Sequence, residues 1–459
     1  MFKRWIGSKQ FYRDVLALMI PIMIQNGITN FVNMLDNIMV GRAGDLQMSG
    51  VSIANTLFFV FNLCVFGAVS GTGIFGAQFA GKRDVQGLKH TFRFKIIFCT
   101  ALALTGIAIF YFFGDNLIDL YLRGEAAPAD AAAARAFSRS YMLVMLIGLL
   151  PHALAQAYAS TLRETGQVRQ PMYAGLIAVL VNLLLNYILI FGRFGAPKLG
   201  AVGAAVATVI SRYIECLILI FWTGRHKDEN PFIVGAWASL RIPGRLIRQI
   251  ALKGLPLMLN ETLWAGGMAM LSQSYSLRGL DVVKADNITQ TFQNVFMVVI
   301  ISAGGAIGIY LGHLLGANRR HEAKMAASQL AAFSVAATVL VAAVYAICAE
   351  WIPAIYETSE EVRRLATRMM QIGALIMPLD AYANAAYFTL RSGGQTFITI
   401  LFDSCFMWVV SVPAAFVLSR FTAVPILPMY AICLSLTFLK DIIGFVLVNK
   451  GIWIRNIVK

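Results

Sequence analysis

Charge is scarce in this sequence. Asp, Glu, Lys and Arg together make up 13% of 459 residues, about half of what a water-soluble chain carries, and that shortage excludes a string of ordinary soluble domains. Acidic residues are scarcer still, 23 against 38 basic ones. Histidine is nearly absent. The five present (His90, His152, His226, His313, His321) are scattered and form no H-E-x-x-H pattern, so an intramembrane metalloenzyme has no ligand set. The six cysteines, Cys64, Cys99, Cys216, Cys348, Cys405 and Cys433, follow no metal-binding spacing and fall mostly in apolar runs, as small packing residues do. No polar stretch is long enough to form a domain of its own.

What is there instead is hydrocarbon: 58% hydrophobic residues and a mean hydropathy of +0.70. A helix needs about 20 apolar residues to cross ~30 Å of bilayer. Twelve such runs are readable, near 14–40, 49–80, 92–113, 137–161, 171–192, 200–223, 250–276, 284–313, 325–349, 364–390, 397–419 and 426–448. The sequence therefore predicts an all-α, multi-pass membrane protein of the plasma (inner) membrane. The basic start, "MFKRWIGSKQFYRD", leads into a long run without a small-residue cleavage site and reads as a retained first helix.

The net charge of +15 is arranged as a topology signal, not as a nucleic-acid surface. Lys3, Arg4, Lys9 and Arg13 precede the first run; Lys82, Arg83, Lys89, Arg93 and Lys95 follow the second. Arg225, Lys227, Arg241, Arg245 and Arg248 follow the sixth, and Arg319, Arg320 and Lys324 the eighth. These loops are expected in the cytoplasm with both termini, and anionic membrane lipids are a secondary partner. No nucleic acid is expected.

The chain is also a duplication. An offset of 235 sets Pro21 on Pro256 and Gly81 on Gly316, so that "AQFAGKRD" meets "GHLLGANR"; an offset of 228 sets "TLRETGQ" on "TLRSGGQ". The reading is two six-helix bundles, 1–223 and 250–459, joined by a cytoplasmic linker, 224–249. Six crossings return the chain to its starting side, so the copies share an orientation and a pseudo-twofold axis along the membrane normal. Two nucleotide-like patterns, "GTGIFG" (71–76) and "GAQFAGKR" (76–83), follow no strand, and Arg83 stands where a magnesium-binding Ser or Thr belongs. They read as helix-packing glycines, and no nucleotide is expected.

Polar residues inside apolar runs carry the functional reading, because a charge at the bilayer centre costs at least ~2.5–3.5 kcal/mol unless partnered or hydrated. In "FVNMLDNIMVG" (31–41), Asp36 follows Asn26, Asn30 and Asn33 at steps that keep all four near one helix face. Asn182 and Asn186 form an i, i+4 pair in the fifth run. Asp36, Asn33, Asn182 and Asn186 together suit a small cage for a proton or cation, with Asp36 and Asn182 as candidate Na+ ligands; interhelical hydrogen bonding is the alternative use of the asparagines. In the tenth run Asp380, Asn384 and Tyr387 share a face after Pro378, and in the seventh Glu261, Trp264 and Met268 do so. Acid, aromatic and thioether suit a lipophilic cation, though Met and Trp stripes also serve plain packing. The eighth run offers Asn287, Gln290 or Thr291, and Asn294 with the same ambiguity.

"IPIMIQNGITNFVNMLDNIMVG", "FGAPKLGAVGAAVAT" (194–208) and the repeated "TLR" motifs resemble the multidrug and toxic compound extrusion (MATE) transporters, over essentially the whole chain. The resemblance implies a V of two six-helix lobes that exports cationic amphipathic compounds in exchange for entering Na+ or H+, with no cofactor and no enzymatic step. It implies that Asp36 matches the family's first-helix acid, Asn182 its fifth-helix asparagine and Asp380 its tenth-helix acid. Two positions depart from the pattern: Asn186 stands where one branch has an aspartate, and Glu261 lies only five residues past Pro256, shallower than the acid of the branch that has one there. The competing expectations are a flippase for a lipid-linked saccharide or peptide-like metabolite, which would need buried Lys or Arg, and, further off, an intramembrane enzyme. A monomer is expected, since no feature calls for a partner subunit.

Overall fold

A backbone surrounded by lipid must satisfy its N–H and C=O groups within itself, which leaves the helix as the means of crossing for runs of this length. The computed structural model describes residues 5–42, 44–122, 128–356 and 358–458, and among these the secondary structure is helical, with no strand. Twelve long helical segments follow one another: α1 (Lys9–Gly41), α2 (Asp45–Lys82), α3 (Val85–Leu122), α4 in two pieces (Pro128–Ile147 and Leu149–Glu164), α5 (Arg169–Phe191), α6 (Ala201–Arg225), α7 (Gly244–Ser276), α8 (Leu280–Gly316), α9 (Arg320–Cys348), α10 (Glu360–Ser392), α11 (Thr396–Phe421) and α12 (Ile426–Asn449). All twelve expected runs are there, several extended by one or more turns.

Nine of the twelve, among the described residues, are long and apolar enough on their own to cross a bilayer, and the two pieces of α4 make a tenth. The remaining two, α7 and α10, are 33 residues each. Their apolar character is diluted by polar residues, Asn260, Glu261, Asp380 and Asn384 among them. The break in α4 bends the chain by 48° at Gly148. Pro151 has no N–H to offer the carbonyl of Ile147 four residues back; that carbonyl accepts instead from the Tyr213 hydroxyl of α6, at 3.4 Å.

The chain divides into two compact units. One contains Ile24–Gly76 and Asp84–Ala251; the other contains Met1–Met23, Ala77–Arg83 and Leu252–Lys459. Both α1 and α2 therefore change unit along their length.

In the first unit, a buried ion pair ties α3 to the second piece of α4. Lys95 Nζ lies 2.6 Å from both Glu164 oxygens, 3.0 Å from Ser160 Oγ and 3.2 Å from Thr161 Oγ1. Gly73 and Gly76 of α2 give the pair its room, since a Cβ on either would run into the Glu164 carboxylate. Arg93 is also buried and donates to the main-chain oxygens of Gly235, Ala236 and Arg241 at 2.7–3.3 Å. These two residues correct the sequence reading that placed them with the loop charges. Arg93 and Lys95 lie inside α3, one holding the segment before α7 and the other neutralised by Glu164.

In the second unit the matched glycines of the duplication meet each other. A Cβ on Gly81 would strike the main chain of His313, and a Cβ on Gly316 would strike the main chain of Gln78. Positions 78 and 81 correspond to 313 and 316 under the repeat, so the contact is reciprocal, as between two copies of one surface. Each strand of chain then turns at a matched residue with positive φ, Arg83 at 59° and Asn318 at 60°. The supposed phosphate loop is thus a helix crossing followed by a turn.

The C-terminal segment is strapped over this crossing. Gln78 Nε2 donates to the Ser392 carbonyl at 2.9 Å and the Arg455 carbonyl at 3.2 Å, while its Oε1 accepts from Ile457 N at 2.9 Å. Asn456 donates to the Gly316 carbonyl and Lys82 to that of Val458. Trp453 is fully buried among Leu314, Leu315, Leu390 and their neighbours.

Replacing Glu164 by Gln leaves the Lys95 ammonium buried without a counter-charge, and losing one member of a buried pair costs about 3–5 kcal/mol. The expected result is a clearly lower unfolding midpoint in detergent, with partial recovery in Glu164→Gln/Lys95→Met. For Gly316→Val, overpacking against an unyielding main chain costs about 1–3 kcal/mol or more. The same melting assay should show that loss, whereas Gly224→Ala, where a Cβ meets nothing within 4 Å, should leave the midpoint unchanged.

Candidate functional site

The first unit gathers the stripe of α1 and the asparagine pair of α5. Asn186 is fully buried, and its Nδ2 donates to Asp36 Oδ1 at 2.6 Å. Asn182, one turn earlier on the same face, is satisfied when its Nδ2 faces the carboxylate: it then donates to Asp36 Oδ2 at 3.0 Å and Oδ1 at 3.2 Å, and its oxygen accepts from the Thr208 hydroxyl at 3.2 Å. Asp36 is therefore held by two amides of α5, one of which, Asn182, is oriented by Thr208 of α6. The helical spacing of four explains why one carboxylate can engage both. The side chain of Asn33 lies outside the described residues. Asn30 is exposed and Asn26 half-buried, so the upper part of the stripe does not close around Asp36.

Among the described residues, one atom of this cluster has no partner. Asn186 Oδ1 is buried, and no donor among the described residues reaches it. A buried carbonyl left without a donor offers lone pairs to a small cation, and the carboxylate on the other edge of the same amide supplies the negative charge. Carboxylate oxygen and amide oxygen are also the donor types that bind Na+ in helix-lined sites.

The second unit holds a larger polar cluster. Tyr387 of α10 joins α7 twice: its hydroxyl donates to Glu261 Oε1 at 3.3 Å and accepts from Asn260 Nδ2 at 3.4 Å. Asn260 also donates to Asp403 Oδ2 of α11 at 3.0 Å, and Asp403 Oδ1 lies 2.5 Å from Lys440 Nζ of α12. Asp380 accepts from Thr437 of α12 at 3.3 Å, and Asp441, four residues beyond Thr437, is buried on the same helix face. Of the residues expected from the sequence, Glu261 and Tyr387 are brought into hydrogen bonding. Asp380 sits half-buried seven residues before Tyr387, paired to Thr437. Asn384 packs its amide oxygen against Gly304 of α8. Trp264 is 41% exposed and Met268 is packed against the hydrophobic core of the unit, so neither joins the hydrogen-bonded cluster. Gln290 and Asn287 line a separate pocket of about 200 Å³ with Ser272 and Asp286.

The sequence reading missed Asn260, Asp403, Thr437, Lys440 and Asp441. Asp403 and Lys440 had a signal that was available, a lone acid and a lone base in adjoining apolar runs. Asn260 was passed over beside its acidic neighbour. Buried Lys is also more abundant than expected, which removes its absence as an argument about cargo. Both Lys95 and Lys440, however, are spent on carboxylates at 2.5–2.6 Å.

The model of one protein family, described as MatE, matches residues 21–188 and again 256–417, the two matches beginning at the prolines that the internal alignment sets on each other. Relatives run along nearly the whole chain. A probable multidrug resistance protein NorM of Thermotoga maritima is 22% identical, covering 92% of this chain and 89% of its own length. The multidrug resistance protein NorM of Vibrio cholerae is 26% identical over 88% and 87%. Among solved structures, a mutant of the Vibrio cholerae MATE transporter VcmN superposes with a TM-score of 0.87 at 16% identity, covering 96% of this chain and 97% of that one. A MOP superfamily transporter from Pyrococcus furiosus gives 0.83 at 18% identity over 98% of each. With the family model matched twice, in an order that repeats the chain's own duplication, and with the fold of MATE transporters shared from end to end, this chain belongs to the MatE family.

Proposed function

We propose that this protein is a secondary active antiporter that exports cationic amphipathic compounds in exchange for Na+ or H+ by alternating access. The observation that carries the reading is the Asp36 carboxylate held by Asn186 and Asn182, with the Asn186 amide oxygen buried and unmatched by any donor of the described residues. Such a group exchanges its occupant readily. A proton on Asp36 or a Na+ shared between Asp36 and Asn186 neutralises the same buried charge, and in either case the cost of keeping the carboxylate away from water falls on occupancy.

An ion shifts a conformational equilibrium only by its difference in affinity between the two states. Asp36 sits in α1 fifteen residues beyond Pro21, and the helix changes unit between Met23 and Ile24. Charge neutralisation at Asp36 therefore acts on a helix whose hydrogen-bond ladder is already interrupted near that boundary. The cargo is assigned to the second unit, at Asp380 with Glu261 and Tyr387, where acids and aromatic surface occur together. The functional halves are taken as 1–223 and 250–459 with 224–249 as linker, in a monomer of the inner membrane with both termini in the cytoplasm. The named relatives, multidrug resistance proteins, are consistent with organic cations as cargo. No step requires covalent chemistry.

In vesicles with Na+ and pH gradients imposed separately, the parental protein should move a fluorescent organic cation under one of the two. Asp36→Asn at matched abundance should lose at least about tenfold in gradient-driven rate, the scale set by removing a differential affinity of about 1.4 kcal/mol. Parental rates in Asp36→Asn would refute the coupling role. A tag fused after Lys459 should react with an impermeant reagent only after the cytoplasmic face is opened.

A further inference from the structure

Asp403 lies in a stretch of α11 wound as a π-helix, over Leu401–Cys405 and again over Met407–Ser411. π-Turns are rare and concentrate where a side chain has to be aimed. Here Asp403 meets two side chains from neighbouring helices. Asn260 Nδ2 donates to Oδ2 at 3.0 Å, and Asn260 is itself fixed by Ser404, whose hydroxyl is shared between its side-chain and main-chain oxygens at 2.7 and 2.8 Å. Lys440 Nζ sits 2.5 Å from Oδ1 and at the same time 5.2 Å from the centre of the Phe402 ring.

A positioned carboxylate beside an aromatic face is what an alkylammonium ion needs: hydrogen-bond acceptors on one side and a ring quadrupole on the other. The present occupant is the end of a four-carbon tether. It is not sealed in, since the Lys440 and Asp403 side chains keep 18% and 15% of their surface exposed, in contrast to Lys95 at 0%. The surroundings hold more acid than base. Asp441 lies within electrostatic reach of both Asp380 and Lys440, and its buried Oδ1 has no hydrogen-bond partner among the described residues.

We propose that Phe402, Asp403 and Asn260 form a binding site for an alkylammonium group, which Lys440 fills at rest and an amine-bearing cargo displaces. The transport consequence rests on the export of cations proposed above; the binding site rests on the geometry alone. A tethered group competes at an effective concentration in the millimolar range. Lys440 thereby selects cargo: a primary or secondary ammonium that donates to Asp403 replaces it, and a cation without N–H groups does so poorly.

Purified full-length Lys440→Ala, probed with n-butylammonium, tests the site. The amine should raise its unfolding midpoint saturably while n-butanol does not, and adding Asp403→Asn should abolish the effect. In vesicles, the KM for phenethylammonium should fall about tenfold in Lys440→Ala, as expected when a self-competing tether is removed. No stabilisation by the amine, equal stabilisation by butanol, persistence after Asp403→Asn, or an unchanged KM would each overturn the proposal. Should Lys440→Ala fail to fold, Lys440→Met carries both measurements with the same outcomes. If the parental protein moves no organic cation at all, the export reading fails, and the butylammonium stabilisation still decides the site.

Discussion

The cost of an unpaired charge away from water governs where every ionisable side chain of this bundle ends up. Lys95 is the plainest case: wholly buried, it is surrounded by both oxygens of Glu164 and two hydroxyls, which is how such a group becomes tolerable. Arg93 is handled with main-chain carbonyls instead. Asp36 and the Asp403–Lys440 pair differ in kind. Asp36 is met by neutral amides, so its charge is solvated but not cancelled, and Lys440 cancels Asp403 while both keep part of their surface exposed. A single energetic rule thus separates groups that hold the helices together from groups that can change partner.

The same rule shapes the helices that carry the chemistry. α7 and α10 are the two that fall short of a bilayer-crossing hydropathy, and they supply Asn260, Glu261, Asp380 and Tyr387. α11 departs from α-helical winding at Asp403. α4 breaks where Pro151 orphans a carbonyl, and Tyr213 repairs it. In each case the irregularity is matched by a side-chain partner from a neighbouring helix, as membrane helices require.

Much of the fold was legible because hydrophobic length and repeat spacing are one-dimensional signals. Twelve runs, the offset joining Pro21 to Pro256, the polar stripe ending at Asp36 and the Asn182–Asn186 pair could each be read along the chain, since helical periodicity places i, i+3 and i+4 together. What could not be read was pairing between distant helices. Lys95 and Arg93 follow a basic loop and look like part of it; only the crossing of α3 with α4 shows Glu164 opposite Lys95. Asp403 and Lys440 lie 37 residues apart; their runs mark each as a charge in need of a partner, and only packing shows that they partner each other. The π-winding around Asp403 likewise follows from packing and has no propensity signature. Trp264 and Met268 kept the right spacing but served surface and core, an ambiguity inherent in apolar stripes.

The allocation of α1 and α2 to both units bears on how the chain is made. Residues up to Met23 and the short Ala77–Arg83 piece belong to the same compact unit as Leu252–Lys459. A ribosome delivers these segments early, at roughly 5–20 residues per second. The amino-terminal turns of α1 thus emerge long before Leu314, Leu390 and Trp453 exist to receive them. Assembly of the second unit is in this sense retroactive: residues made late, Ile457 and Val458, fasten down the end of α2, made far earlier.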